Sequence, residues 1–491
     1  MVRWDRAGRS HGTVVGLVEL VELIPHVWIM GRCLVQGKCS TVMKVLGRPA
    51  YLGCVEYQLP TLLLMAAFPF GLVAQSKGPE PLSAQESDPV RLGWMQGTPP
   101  PADRVVHVAD GSFFRFPALR WSVVHMRELM PTVRVSRGSV APMALPYALD
   151  PGIDKVVFKP WHADTTMTWE QSLWANYTDG ILVMHRGRVV YERYFGALGP
   201  DDVHVVMSLT KSFNGTLAAT LVAEGVLDEN KPVPFYVPEL AGSAFGDATV
   251  RQLMDMTTGL RYSENYADPK ADVWMFGAAG EPNRMPGDGR GPLGYCAYLE
   301  TVRKDGQHGA AFHYKTVNAD ALGWVIARAT GKPVDELLAE RIWGRIGMEQ
   351  DGYYQVDALG TSFTGGGLNA SLRDLARFGE LIRNKGRHQG EQVIPQRAVE
   401  DIMAGGSKEV FAKSGYTELR GWSYRDMWWV TGNAHGAFMA RGVYGQAIYI
   451  DPKAEMVIVR LASHPVAANT ANDATSLPAY QAMAEYLMGK H

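Results

Sequence analysis

The chain predicts a mixed α/β (α+β) domain. An antiparallel sheet is built from both chain ends and flanked by helices, with a mostly helical part inserted between its halves. Three observations carry this. The run Gly180-Ile-Leu-Val-Met-His-Arg-Gly-Arg-Val-Val-Tyr-Glu-Arg-Tyr-Phe195 is two β-rich segments around Arg186-Gly187, the pattern of a hairpin. Near the other end, Gly445–Ile450 and Met456–Ala462 are two further strand runs around Asp451-Pro452. Between residues 226 and 350 the periodicity is mostly helical, cut by loops. Strands at both ends with helices between them place the sheet at about 104–225 and 385–490, and the helical part at about 226–384.

At 491 residues the chain has room for more than one domain. It is 46% hydrophobic, 20% charged and 10% aromatic, the balance of an ordinary globular protein. Formal net charge is −2 and no long Lys/Arg run occurs, which argues against nucleic acid as a partner. The four cysteines, Cys33, Cys39, Cys54 and Cys296, fit no zinc spacing. No His-Glu-x-x-His, Cys-x-x-Cys or Gly-x-Ser-x-Gly is present.

The first 75 residues read as a leader. Thr61-Leu-Leu-Leu-Met-Ala-Ala-Phe-Pro-Phe-Gly-Leu-Val-Ala74 is an apolar run of signal-peptide length, too short to span a bilayer. It ends at Ala74-Gln75, and Lys44 and Arg48 supply a weak positive flank if translation starts at Met43. The mature protein is therefore expected to be exported, periplasmic or secreted, with no stable membrane span. If this run is not a signal, it is cytoplasmic. The earlier apolar stretch Val14–Met30 carries Glu19 and Glu22, which speaks against a span. Residues 1–42 read as an upstream extension without a role in the mature protein.

Residues 76–103, ending in Thr98-Pro-Pro-Pro-Ala, read as a linker or surface arm, and 104–490 as the folded domain. Short apolar pieces broken by turn residues, Phe113–Trp121 and Met126–Val135, precede the first hairpin. Val250–Met256 is a short helix ending at Thr258-Gly259, and 277–294 is a long Gly/Pro-rich loop. Asn318–Thr330 has helical spacing and closes at Gly331; Leu372–Asn384 is another helix, and Ala479–Met488 the last.

One stretch carries chemistry: His204-Val-Val-Met-Ser208-Leu-Thr-Lys211-Ser-Phe-Asn-Gly-Thr-Leu217. Leu209, Phe213, Leu217 and Leu221 recur at four-residue spacing, so a helix starts near Ser208. Ser208 and Lys211, three apart, point the same way on it. A serine hydroxyl needs a base to act as a nucleophile, and a desolvated lysine can serve. At the helix start the Ser208 N–H is one of the unpaired donors, available to an oxyanion. Serine is common, so this spacing alone is weak; a serine near a helix start is often only a cap.

Order and context strengthen it. Ser208-Leu-Thr-Lys211 is followed by Val250-Arg-Gln-Leu-Met-Asp-Met-Thr-Thr-Gly259 and Phe312-His-Tyr-Lys-Thr316-Val-Asn318. Then come Gly365-Gly-Gly-Leu-Asn369 with Asp374-Leu-Ala-Arg377-Phe-Gly379, and Ala440-Arg-Gly-Val-Tyr-Gly-Gln446. In these blocks, over about residues 90–490, the chain resembles the serine β-lactamase and penicillin-binding-protein superfamily, in its class C-like esterase branch. Within that branch it most resembles the 6-aminohexanoate-dimer hydrolases. The resemblance implies a β-lactamase/transpeptidase-like fold, Ser208 as acyl-enzyme nucleophile and Lys211 as its proton acceptor. It implies Tyr314 as the proton relay, with Thr316 standing where Asn is usual and Asn318 two residues on. The third motif, Lys-Thr-Gly or His-Thr-Gly in relatives, falls on Ala440-Arg441-Gly442. There Ala440 replaces the cation, Arg441 is expected on the opposite face of a strand, and the Val443 N–H completes the oxyanion hole. Tyr266, in Ser263-Glu-Asn-Tyr, matches a block that lines the substrate cleft, and Trp428-Trp429 is a candidate wall.

These residues predict a serine hydrolase for a small amide or ester, with no metal or cofactor. The alternatives are a D-amino-acid peptidase or weak β-lactamase, and, from another class, a penicillin-type sensor that acylates without turnover. Loss of a cation at Ala440 argues against efficient penicillin turnover.

Overall fold

Eleven strands and four helices of the computed structural model position the site; the structure describes residues 80–490 and, before them, 44–45 and 48–49. Lys44–Val45 and Arg48–Pro49, which pair antiparallel, belong to a separate unit, residues 1–76. The apolar runs Val14–Met30 and Thr61–Ala74 lie outside the described residues. In chain order the strands are β1 (Thr132–Val135), β2 (Thr178–His185), β3 (Arg188–Tyr194), β4 (His204–Val205), β5 (Gly352–Gln355), β6 (Leu368–Ala370), β7 (Ser423–Arg425), β8 (Trp428–Val430), β9 (Phe438–Gly442), β10 (Gln446–Asp451) and β11 (Met456–Ala462). The helices used below are α1 (Thr210–Glu224), α2 (Val317–Thr330), α3 (Leu372–Arg383) and α4 (Thr470–Met488).

The central sheet has seven antiparallel strands in the order β7-β8-β9-β10-β11-β2-β3. Its closing pair, β11 with β2, sets Met456 opposite His185 and Val459 opposite Leu182, so the sheet is built from both chain ends. The β2–β3 hairpin turns at Arg186 and Gly187, with φ of 51° and 74°. Positive φ at both central residues matches the twist of the flanking strands. A second sheet, in the order β1-β5-β6-β4, carries the chain into the Ser208 segment.

Helices cover both faces of the central sheet. Helix α3 starts at Ser371, whose side chain accepts from the Asp374 N–H, and it buries Leu372, Leu375, Phe378 and Ile382. It lies against Ile448 of β10, while the next residue, Tyr449, meets Tyr480 of α4 at 5.2 Å between ring centroids. Successive strand residues face opposite ways, so α3 and α4 take opposite sides.

Helix α1 is buried nearly all round, not only along the Leu209–Leu221 stripe. Its polar residues are satisfied internally or by neighbours. Thr216 and Thr220 bond back to the carbonyls of Ser212 and Thr216, and Asn214 donates to Ala319 O at 2.8 Å. Its end at Gly225, φ 78°, is a left-handed cap.

Three expected boundaries move. Helix α4 begins at Thr470 instead of Ala479, running through Pro478. The loop over 277–294 is shorter, because Asp272–Ala279 is helical. From residue 80, the stretch expected as a linker or arm is packed onto the domain. It forms the Pro89–Leu92 helix, capped by Asp88, and buries Ala84 and Ser87.

Candidate active site

Strand β4 pairs with β6, Asn369 opposite Val205, and delivers the chain to Met207. Met207 takes φ 49°, and Met207–Leu209 then form a single 3₁₀ turn that runs into α1. Ser208 therefore sits in that turn, one residue short of the α-helical stretch, and is 6% exposed. Lys211, 1% exposed on the first turn of α1, donates from Nζ to Ser208 Oγ at 2.8 Å. It also donates to the Gly365 carbonyl. Burial lowers the Lys211 ammonium to about 8, against the opposing charges of Glu264 and Asp320.

The Gly365 peptide links Lys211 to a carboxyl group. Its N–H donates to Asp320 Oδ1 at 3.0 Å while its carbonyl accepts the hydrogen bond from Lys211. A Cβ at 365 would stand 2.5 Å from Asp320 Oδ2 and 2.6 Å from Thr316 Cγ2, so the position demands glycine. Burial pushes Asp320 up to about 7, opposed by Lys211. Sequence reasoning missed Asp320. Its one signal is an acid inside the apolar helical run Val317-Asn-Ala-Asp320-Ala-Leu322.

Tyr314 presents its ring to Lys211, Nζ lying 5.2 Å from the centroid. The ring stacks on Trp429 at 5.4 Å, and Trp429 is in turn edged by Tyr416 and Tyr424 at 5.3 Å each. Burial and then the charge of Glu264 hold the Tyr314 phenol well above its ordinary value, opposed by its hydrogen bond with Ser208 and by Arg441.

Glu264, also missed, organises the adjoining wall. It accepts from Thr316 N at 2.7 Å, from Thr316 Oγ1 at 2.5 Å and from Tyr266 OH at 2.9 Å. Tyr266 thus stands beside the catalytic candidates. Thr316, expected to contact substrate, has both polar groups committed to Glu264 and is 3% exposed. Asn318, also expected there, is fully buried in α2 and accepts from Thr258 Oγ1 at 2.6 Å. It ties α2 to the Thr258-Gly259 corner instead of reaching the cleft. The reason is helical phase: two residues along a helix rotate a side chain well away from its starting face.

Strand β9 runs beside the Ser208 turn. A Cβ on Gly442 would approach the Val206 carbonyl to 2.7 Å, so the two segments touch where Val443 begins the next turn. The strand's facing differs from expectation. Ala440, expected to line the cleft, is fully buried in the apolar core. Arg441, expected to face away, stacks on Trp429 at 4.9 Å and pairs with Asp473. Alternation held, but with the opposite phase. Trp428 likewise belongs to the core, donating to Thr216 Oγ1 at 3.1 Å, and only Trp429 meets Tyr314.

A cavity of about 550 Å³ opens beside Tyr314, walled by Trp161, His313, Tyr416, Leu419 and Asp473. That volume suits a small-molecule ligand. The buried serine–lysine pair and its neighbouring neutral phenol are the parts of an acyl-transfer site, and of the three it is Tyr314 that lines the cavity, not Ser208 or Lys211.

Residues 169–481 match the β-lactamase family model. The chain is similar to the 6-aminohexanoate-dimer hydrolase of Paenarthrobacter ureafaciens, 37% identical over 351 residues, 71% of this chain and 86% of that protein. It is also similar to a solved structure from Bacillus anthracis assigned as a 6-aminohexanoate-dimer hydrolase. That structure has a TM-score of 0.69 and 32% identity, covering 77% of this chain and 96% of the other.

Proposed function

This chain belongs to the β-lactamase family, and on that premise we propose that it opens short linear amides and esters through an acyl-enzyme on Ser208. It is an amide or ester hydrolase of that family. The observation that carries the residue roles is the 2.8 Å contact of Lys211 Nζ with Ser208 Oγ in a buried site.

In this reading Lys211, in the neutral amine form that burial makes accessible, takes the Ser208 proton to become the ammonium as Oγ bonds to the substrate carbonyl carbon. The N–H groups of Ser208 and Val443 receive the oxyanion. Tyr314, a phenol and not a phenolate, gives its proton to the departing amine or alkoxide as the carbonyl carbon's bond to it breaks. It then recovers a proton from Lys211. Water reverses the sequence on the acyl-enzyme. Glu264 holds Tyr266 and Thr316 in place along one wall.

The proposed substrate class is a linear ω-amino-acid amide or a comparable short ester, supported by the similarity to 6-aminohexanoate-dimer hydrolases and by the cavity beside Tyr314. Arg441, which stacks on Trp429 beside the phenol, already has its charge met by Asp473, so it is not offered to a penicillin carboxylate as a free cation. With one purified sample, p-nitrophenyl esters and linear ω-amino-acid amides are expected to exceed nitrocefin in kcat/KM by about 100-fold or more. Equal turnover of nitrocefin would move the reading to β-lactamase. A burst of product without steady-state turnover would move it to an acylating sensor.

Export completes the reading and is supported by the apolar run Thr61–Ala74 and the polar sequence after it. Mature protein from the native host should begin near Gln75 on N-terminal sequencing. An intact N-terminus in the cytoplasmic fraction would refute it.

A further inference from the structure

Two residues with left-handed backbone flank the oxyanion donors. Met207, φ 49°, directly precedes Ser208, and Tyr444, φ 64°, directly follows Val443. A non-glycine residue stays in that region only where its surroundings over-determine it. Both side chains are buried in one apolar cluster, separate from the main core. The rest of that cluster comes chiefly from a segment upstream of the matched family stretch, including Val106, Phe113, Leu119, Trp121 and Met126. Phe114 adds a ring stacked over Tyr444, with centroids 6.5 Å apart and planes 15° apart.

The segment is fastened on both sides. Val205 N donates to Val123 O at 2.8 Å, so the backbone of the segment holds the strand that leads into Met207. Arg120, 2% exposed, reaches Asp179 Oδ1 at 3.0 Å and Ser463 Oγ at 3.1 Å. The residue after Ser463, His464, donates its N–H to the Tyr444 carbonyl at 3.1 Å, and Tyr444 N donates to Ala467 O at 2.9 Å. One short segment therefore grips the approach to both donors.

We propose that the segment from Phe113 to Met126 is a positioning clamp for the oxyanion hole, acting through the side chains of Met207 and Tyr444. The ψ angle of Met207 sets the plane of the peptide that carries the Ser208 N–H. Pinning Tyr444 fixes the turn that Val443 opens. The clamp improves the fit to the tetrahedral species more than the fit to the ground state. This rests on the acyl-enzyme reading above.

The test measures kcat and KM for a p-nitrophenyl ester, and the Ki of an alkyl boronic acid. A boronic acid bonds to the serine oxygen and places a tetrahedral oxygen in the hole. Phe114→Ala and Trp121→Ala are expected to lower kcat about tenfold to a hundredfold and raise the boronate Ki in parallel, while KM changes less than about threefold. Trp121→Phe should restore most of both. If Trp121→Ala fails to fold, Phe114→Ala decides alone, since Phe114 is only half-buried and its loss removes one stacked ring. Folded alanine variants with wild-type kcat and boronate affinity overturn the clamp, as does a loss that falls on KM alone. With Ser208→Ala inactive, either result sinks the clamp only; an active Ser208→Ala would sink the acyl-enzyme reading first.

Discussion

Ser208→Ala is expected to lower kcat by about 10⁴-fold or more and to abolish labelling by a serine-directed phosphonate. Among the described residues, this hydroxyl is the nucleophile to which Lys211 is already hydrogen-bonded, at 2.8 Å. The fold should survive. Ser208 contributes one small side chain in a 3₁₀ turn, and Thr210, two residues on, keeps its own bond to the Met207 carbonyl at 2.6 Å. Circular dichroism and thermal melting then separate lost chemistry from lost structure. Labelling at another residue in the active protein, or retained turnover in the variant, would remove Ser208 from the mechanism.

Lys211→Met should be almost as damaging to turnover, by about 10²- to 10⁴-fold in kcat, yet should hold or raise thermal stability. Burial lowers the lysine from its ordinary 10.5 to about 8, so the unfolded chain binds its proton more tightly than the folded one. Stability is therefore lost as pH falls from about 10.5 toward 8, and the cost of the buried charge is complete below that. Methionine removes this cost, offset in part by the unpaired Gly365 carbonyl and by the loss of the charge that opposes burial of the Asp320 carboxyl. The same lowered value sets the pH profile. With the neutral amine as base, kcat/KM of the wild type should climb through about pH 8 as one proton leaves. Tyr314, held well above its ordinary value, should produce no falling limb over the same range. Residual activity in Lys211→Met should lose the rising limb. A pH-independent wild type would show that Lys211 is not the titrating base.

Four strands of the seven-stranded sheet, the β2–β3 and β10–β11 hairpins, were legible in the residues, as were the Arg186-Gly187 turn and the helix after Ser208. Each rests on local chemistry: alternation over a few residues, two adjacent positions that accept positive φ, and apolar spacing along one helix. The Ser208–Lys211 pair was legible for the same reason, since three residues on a helical turn bring two side chains together whatever lies around them. Helix α4 extends back from the expected Ala479 to Thr470, through Pro478. Proline nevertheless keeps a helical φ, and packing onto the sheet, including Tyr480 against Tyr449, offsets its missing N–H.

What the sequence by itself determined, then, is the pair of hairpins at the two chain ends with helices between them, the serine–lysine pair on one helical turn, and the presence of Tyr314 and Tyr266 in separate blocks. Only the tertiary structure decided their company. Glu264 meets Thr316 across 52 residues and Lys211 meets the Gly365 carbonyl across 154, contacts that no local pattern encodes. The same holds for the facing of β9. Alternation separates Ala440 from Arg441, but which of the two turns toward Tyr314 depends on the register of β9 against β8 and β10, where Met439 pairs with Trp429. A shift of one residue would exchange the faces. It is the packing of Trp429 on Tyr314 that sends Arg441 to the cleft side and Ala440 into the core.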